Sequence, residues 1–468
     1  MKNLGKIILA TALAACTFSN QSFAQYKVYP GKYAVKFTDK NNSPYSLERP
    51  NEFLTQKSLD RRAKFGIKLN DSDLPVNPQY VDSLKSLGFK IQGTSKWLNC
   101  AVVICDSTDV EKLKNLSFVD YDYVWRQKIE NAPKNREDIK RPKISKKSLD
   151  KTIKLDYGNG LNQAQMLNIQ VLHNLGYKGE GMVAAIFDAG FYKVPEWESF
   201  QQMIKDGHIL GTRDFANFGT EVYNADNHGM NVLSCITGNK PGKLIGTAPE
   251  TQVYLFRTEI SSSENIIEEF LWAFAAEVSD SLGVDLIHSS LGYYKFDDTD
   301  KSYKYSEMDG NTAISSIAAD CAVSKGIFVT ISAGNEGNDP WHYITSPADA
   351  DSVLSVGAVD KDRNLAYFSS RGPSYDNRVK PDVCAKGLSA AVQGTSNHIT
   401  QASGTSFAGP IMAGACICLL QAHPKAPIMT VMKAVKAAGS QYDHPDNDYG
   451  YGIPDFEIAH KILIKEGY

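Results

Sequence analysis

Neither sign of charge is in excess in this chain: 50 Lys and Arg face 53 Asp and Glu, for a formal net charge of −3. That balance gives no reason to expect nucleic acid or an anionic membrane as a partner. Beyond an N-terminal leader no segment reads as a membrane span, and there is no internal repeat or low-complexity tract. Cysteine is sparse. Setting Cys16 aside leaves Cys100, Cys105, Cys235, Cys321, Cys384, Cys416 and Cys418. An odd number leaves at least one unpaired within the chain, and Cys416 and Cys418 lie in an apolar helical run as small hydrophobes. No essential disulfide framework is expected.

What is present is ordinary globular composition, 42% hydrophobic and 22% charged, over 468 residues. Lys2 and Lys6 precede a short apolar run at 7–15, and Ser22-Phe23-Ala24 offers a small-x-small cleavage site before Gln25. Leu13-Ala-Ala-Cys16 also resembles a lipoprotein box, which would tether the protein through a lipid on Cys16. Either route exports the chain, to the periplasm or beyond, and cleavage after Ala24 is the preferred reading. A membrane is a partner only if Cys16 is lipidated.

Residues 25–126 alternate strand and helix signals. Strands are expected at 33–37, 89–92, 98–105 and 118–124, and helices at 81–87 and 107–116. Strand-helix-strand-strand-helix-strand is the ferredoxin-like α+β order. Residues 41–75 are extra to it, with a helix expected within 51–65. The stretch 127–155 is rich in Lys and Arg and poor in apolar residues, so it reads as a solvated linker open to nicking. From 156 to 468 the pattern is α/β. Apolar runs at 182–187, 284–288 and 326–332 look like parallel strands buried on both faces, with helices at 266–278 and 312–324 between them.

Four short motifs carry chemistry: Val183-Ala-Ala-Ile-Phe-Asp188, Asn227-His228-Gly-Met-Asn-Val, Ile331-Ser-Ala-Gly-Asn335-Glu-Gly and Ser403-Gly-Thr-Ser406-Phe-Ala-Gly-Pro. A neutral serine attacks carbonyls poorly. It needs a base, a carboxylate to orient that base, and a fixed donor for the oxyanion. Each residue alone has a plainer reading: Asp188 as a strand-end turn, His228 as a cap or surface residue, Asn335 as a turn, Ser406 as an N-cap. Together they gather, because Asp188, Ser289-Ser-Leu-Gly292 and Gly334-Asn335 all end strands at one edge of a sheet. The run after Ser406 is both thin (Ala408, Gly409, Ala413, Gly414) and apolar (Ile411, Met412, Ile417, Leu419). Such a helix can cross the centre of a domain with Ser406 at its positive end.

Over residues 157–463 these motifs, in this order, resemble the subtilisin-like serine proteases. Gly246-Thr-Ala-Pro249, Ser290-Leu-Gly292, Lys380-Pro-Asp382 and Gly450-Tyr-Gly452 add lesser matches. The resemblance implies a three-layer α/β fold with a mostly parallel central sheet, preceded by a small ferredoxin-like prodomain. It implies an endopeptidase in which Ser406 attacks, His228 accepts the proton, Asp188 holds the imidazole and Asn335 donates to the oxyanion. Ser290, Leu291, Gly292, Ser332, Ala333 and Gly334 then line the substrate cleft. Protein or peptide chains would be the substrates, and residues 25–126 an intramolecular inhibitor removed by processing within 127–155. No cofactor is implied. Met230 and Asn231 depart from the usual residues after the histidine. The loop Asn239-Lys-Pro-Gly-Lys243 carries two cations where many relatives bind calcium, so no metal is expected there. An α/β-hydrolase elbow is excluded by Ala408 at its second glycine position. A regulatory protein with an inert site is the rival reading, and the complete set of four argues against it.

Overall fold

The computed structural model describes residues 27–126 and 141–468. The leader, with its cleavage site after Ala24 and the lipid site at Cys16, lies outside the described residues, as does 127–140 of the basic linker.

The N-terminal domain forms strands β1 (Lys27–Tyr29) and β2 (Lys32–Lys36), helices α1 (Gln56–Phe65) and α2 (Pro78–Ser86), and strands β3 (Lys90–Ser95) and β4 (Cys100–Ile104). They make an antiparallel sheet in the order β1-β2-β4-β3. Strand periodicity splits its side chains between two cores. Tyr33, Val35, Ala101 and Val103 pack with Leu84, Phe89, Val110 and Leu113 inside the domain. Ala34, Cys100 and Val102 face the other way and join the core of the C-terminal domain.

Two expectations for this domain are corrected. Residues 118–124 are not a strand but a single bridge, Phe37 to Val119. The β1 hairpin already occupies that edge of β2 at Tyr33, and the chain then leaves the sheet to set Trp125 edge-on against Phe270, with centroids 5.0 Å apart. The helix expected at 107–116 is a short 3-10 turn, Val110–Asn115. Within the extra segment the one α-helix is α1, between 3-10 turns at Pro50–Glu52 and Asp71–Asp73. Thr55 caps α1 and Gly66, in the left-handed region, ends it.

The C-terminal domain is built on seven strands: β5 (Val183–Asp188), β6 (Ile209–Asp214), β7 (Gln252–Arg257), β8 (Leu286–Ser289), β9 (Phe328–Ser332), β10 (Leu354–Val359) and β11 (Val383–Lys386). Their order is β11-β10-β9-β8-β5-β7-β6, with every pair parallel. Strands β5, β8 and β9 are buried at every residue, as their unbroken apolar runs require. Its longer helices are α3 (His228–Thr237), α4 (Ile267–Leu282), α5 (Ile314–Ser324), α6 (Thr405–Ala422), α7 (Ile428–Ala437) and α8 (Phe456–Lys465). α4 packs on α5, and α6 packs on α3 and on strands β9 and β10. This is the three-layer α/β arrangement expected.

The N-terminal domain lies against α4. Glu277 on α4 is buried, and its carboxylate accepts the backbone N–H groups of Lys96 (2.8 Å) and Trp97 (3.0 Å) from the turn between β3 and β4. The described part of the basic linker is largely exposed, as expected, and is also anchored at points to the C-terminal domain. Arg141 donates to the Gly439 carbonyl at 2.9 Å, and the Leu149 N–H donates to Glu457 on α8 at 2.8 Å.

The first 16 of the 18 residues of α6 are buried. A β-carbon on Gly414 would stand 2.1 Å from Thr247 Oγ1 and 3.1 Å from the Ala248 nitrogen. Thr247 cannot easily turn away, since its hydroxyl donates to the Ile411 carbonyl at 3.0 Å. Gly414→Ala should therefore lower the unfolding free energy by about 1–3 kcal/mol. A denaturant melt, run on chains also carrying Ser406→Ala to prevent digestion, would read this; unchanged stability would contradict the packing described.

Candidate active site

Asp188 ends β5, Ser289 ends β8 and Ser332 ends β9, all at the carboxyl edge of the sheet. From β5 the chain runs out to β6 and β7 on one side, then returns to β8 on the other. A crevice opens at such a switch point, and the candidate residues gather there.

The Asp188 side chain is fully buried, and its Oδ1 accepts from the Ala189 N–H at 2.8 Å. His228 is the first residue of α3, and its Nδ1 lies 2.8 Å from the same oxygen. Gly229 makes the approach possible, because a β-carbon there would meet the Gly190 carbonyl at 2.4 Å and Asp188 Cβ at 2.7 Å. Burial lowers the His228 pKa, but the charge and hydrogen bond of Asp188, with Asp226 nearby, outweigh it. The net shift is upward from the ordinary 6.5.

Ser406 is the second residue of α6 and is largely buried. Pro410 lies four residues on and has no N–H to return to the Ser406 carbonyl. The Ser290 hydroxyl takes that place, donating to the Ser406 carbonyl at 3.0 Å, and the Ser332 hydroxyl donates to the Thr405 carbonyl at 2.9 Å. Two strand ends are thereby tied to the first turn of the helix. The Ser406 hydroxyl makes a long bond of 3.4 Å to the Ser290 carbonyl and none to His228 in this structure. Catalytic hydrogen bonds of this kind are commonly long before substrate binds.

Asn335 is exposed. Its Oδ1 accepts from the Thr405 N–H at 2.8 Å and from the Thr405 hydroxyl at 3.1 Å, and that hydroxyl accepts from the Gly334 N–H at 3.2 Å. With the oxygen so engaged, the Asn335 NH₂ is left to donate elsewhere. The six expected cleft residues fall on the two strand extensions. Ser290, Ser332 and Ala333 are buried, Leu291 and Gly334 half-buried, and Gly292 exposed. Because the Ser290 and Ser332 hydroxyls serve α6, what these segments offer a ligand is backbone.

Sequence reasoning missed several supporting residues. Thr405, which orients Asn335, sits inside a quoted motif and was legible there. Thr345 was not. It is buried beside both cleft glycines, with its Oγ1 2.2 Å from where a Gly292 β-carbon would be and 3.1 Å from that of Gly334. Buried His288 links Thr330 Oγ1 and Ser290 Oγ, each at 2.9 Å, and burial pushes its pKa down to about 3, so it stays neutral. The two tyrosines after Gly292 diverge. Tyr293 is buried with its hydroxyl on Glu259 at 3.2 Å, whereas Tyr294 packs at a tilt against Trp341 and donates to Glu336 at 3.3 Å, beside Asn335.

Glu259, Glu264 and Glu268 each bring a carboxylate oxygen within 4.8 Å of the others, the one such grouping among the described residues that could hold a metal ion. Burial raises all three, Glu264 and Glu268 to about 7. The loop at 239–243 is a separate place, a two-rung hairpin of Asn239–Lys240 with Leu244–Ile245.

Both domains are similar to known proteins. Residues 179–452 match the model of the Subtilase family, and residues 32–145 match that of the Peptidase S8 propeptide domain, Bacteroidota. The chain is 28% identical to Serine protease AprX of Bacillus subtilis (strain 168) over 309 residues, 60% of this chain and 66% of that one. It is 26% identical to Subtilisin E of the same organism over 353 residues, 73% of this chain and 76% of that one. Similarity to the Membrane-bound transcription factor site-1 protease of Rattus norvegicus, 27% over 312 residues, spans 64% of this chain but only 27% of that protein.

The raised His228 pKa is directly measurable. Titrating the ring proton resonances in a Ser406→Ala chain should give a midpoint above 6.5, and Asp188→Asn should bring it down. The sign matters for catalysis, since a base with a raised pKa is neutral, and competent, only on the alkaline side of that midpoint. A midpoint at or below 6.5 in both chains would show that the Asp188 contact does not govern the imidazole.

Proposed function

Because the chain belongs to the subtilase family and carries its propeptide, a serine protease made as a zymogen, we propose that it is exported, cuts itself, and hydrolyses peptide bonds through Ser406, His228 and Asp188. The observation that carries this is the convergence on Ser406. The Asp188–His228 pair lies at the end of one strand. An Asn335 amide turned by Thr405 lies at the end of another. The serine itself stands in the first turn of a buried helix.

In the forward step His228 Nε2 takes the Ser406 proton as Oγ attacks the scissile carbonyl. Asp188 keeps Nδ1 protonated, which leaves Nε2 as the basic nitrogen, and it stabilises the imidazolium that forms. Negative charge moves to the carbonyl oxygen. There the Asn335 NH₂ and the Ser406 backbone N–H can donate, and the positive end of α6 favours it. The imidazolium then protonates the departing amine. Water repeats the sequence against the acyl-enzyme and frees Ser406. Substrate chain would lie as an added strand along Ser290-Leu291-Gly292 and Ser332-Ala333-Gly334, recognised through backbone groups.

We assign residues 25–126 as the inhibitory domain, 127–155 as the segment that is cut and 156–468 as the peptidase. Export rests on the leader at 1–24, with release into the periplasm or medium preferred over a lipid on Cys16. Intact mass after expression tests the self-cut. The unaltered chain should lose its N-terminal domain through a break within 127–155, and Ser406→Ala should retain everything after the leader. Equal trimming of both chains would assign the cut to another protease.

A further inference from the structure

Four buried polar side chains share one face at the centre of the sheet. His288 and Ser290 stand two residues apart on β8 and its extension, and Thr330 and Ser332 stand two apart on β9. Strand periodicity puts each pair on one face, and the parallel register sets His288 beside Thr330. Helix α6 lies directly on them. A β-carbon on Gly409 would stand 2.4 Å from Ser332 Oγ and 2.8 Å from His288 Cε1. Ser290 and Ser332 serve the helix through their hydroxyls, whereas His288 takes no part in the proton transfers of the mechanism.

The protons of this group can be counted. Ser332 gives its hydroxyl proton to the Thr405 carbonyl at 2.9 Å, and Ser290 gives its own to the Ser406 carbonyl at 3.0 Å. A hydroxyl that donates can still accept. His288 Nε2 lies 2.9 Å from Ser290 Oγ, so Nε2 must carry the ring proton. Burial keeps the ring neutral, with its pKa pushed down to about 3. Nδ1 is therefore bare and accepts from Thr330 Oγ1 at 2.9 Å. The bonds then run one way, from Thr330 through His288 and Ser290 to the Ser406 carbonyl, and each polarises the next. In the other tautomer Nε2 would draw the Ser290 proton to itself. The Ser406 carbonyl, already denied a helix partner by Pro410, would then lose its donor.

We propose that His288 is a positioning residue for the nucleophile. As the Nε2–H tautomer it aims the Ser290 hydroxyl at the Ser406 carbonyl. It thereby holds the first turn of α6, with the Ser406 Oγ and N–H, in register with the cleft strands. This deepens the proposed function and rests on Ser406 being the nucleophile.

Two readouts test it. The first is the ring-nitrogen spectrum of the full chain carrying Ser406→Ala and ¹⁵N-labelled histidine, with His288 assigned by its loss in His288→Gln. The carbonyl at position 406 is retained, so Nε2 should be protonated and Nδ1 bare at neutral pH. A protonated Nδ1 with bare Nε2, or a charged ring, would overturn the proposal. This readout uses the native side chain and stands even if a variant fails to fold. The second is the rate at which a fluorophosphonate labels Ser406 in the processed protein. His288→Leu fills the space but offers Ser290 no donor, and labelling should slow at least about tenfold. The His288→Gln amide can donate to Ser290 and accept from Thr330, so labelling should stay within about threefold of the unaltered rate. Equal rates in the two variants would reduce His288 to space filling and overturn the positioning role. No label on Ser406 in the unaltered protein would instead overturn the reading of Ser406 as nucleophile, and the role given to His288 would fall with it.

Discussion

The carbonyl that Pro410 leaves free on Ser406 is the point from which the site is organised. A helix without that proline would close its own first turn and have no need of the strands beside it. With it, the Ser406 carbonyl must take a donor from outside, which the Ser290 hydroxyl supplies, while the Ser332 hydroxyl adds a second tie at the Thr405 carbonyl. The first turn that carries Ser406 is thus tied to two strand ends as well as to its own helix. Thr405, one residue earlier, binds the Asn335 oxygen and so decides which way that amide faces. Small side chains along α6 let this helix run close to its neighbours, and a methyl would not fit at Gly409, against Ser332 and His288, or at Gly414, against Thr247 and Ala248. Fold and chemistry meet in that one turn.

Helix α4 plays the corresponding part for the junction between domains. Buried Glu277 receives the turn between β3 and β4. One turn further on, Asp280 receives the arginines of α1. Burial alone would oppose ionisation of Asp280, but Lys96, Arg62 and Arg61 outweigh it and hold its pKa down to about 2. Breaking such a contact exposes charges on both sides, so its strength lies in geometry and slow separation more than in net Coulomb energy.

Much of this was legible in the sequence because it is written in local pattern. Unbroken apolar runs marked β5, β8 and β9, a thin apolar run marked α6, and Asp188, His228, Asn335 and Ser406 each closed a recognisable motif. What failed depended on competition for space. Residues 118–124 alternate like a strand, but the β1 hairpin holds the edge they would need, and Trp125 finds a better place on Phe270. The basic composition of 141–155 suggested solvent, and it is largely exposed, but the anchors at Glu457 and at the Ala437 and Gly439 carbonyls had no signal in the pattern. The pairing of Arg61 with Asp280 spans 219 residues of sequence, and no local pattern announces a contact at that separation. Thr345 and His288 likewise act only through neighbours that folding brings to them.

The central claim is that one serine, and only that serine, is activated by this arrangement. Labelling the processed protein with a fluorophosphonate, followed by peptide mass mapping, tests it most directly. The account predicts a single adduct on Ser406 that is lost in His228→Ala while the protein remains folded. An adduct on another serine, or labelling of Ser406 that persists undiminished without His228, would contradict it.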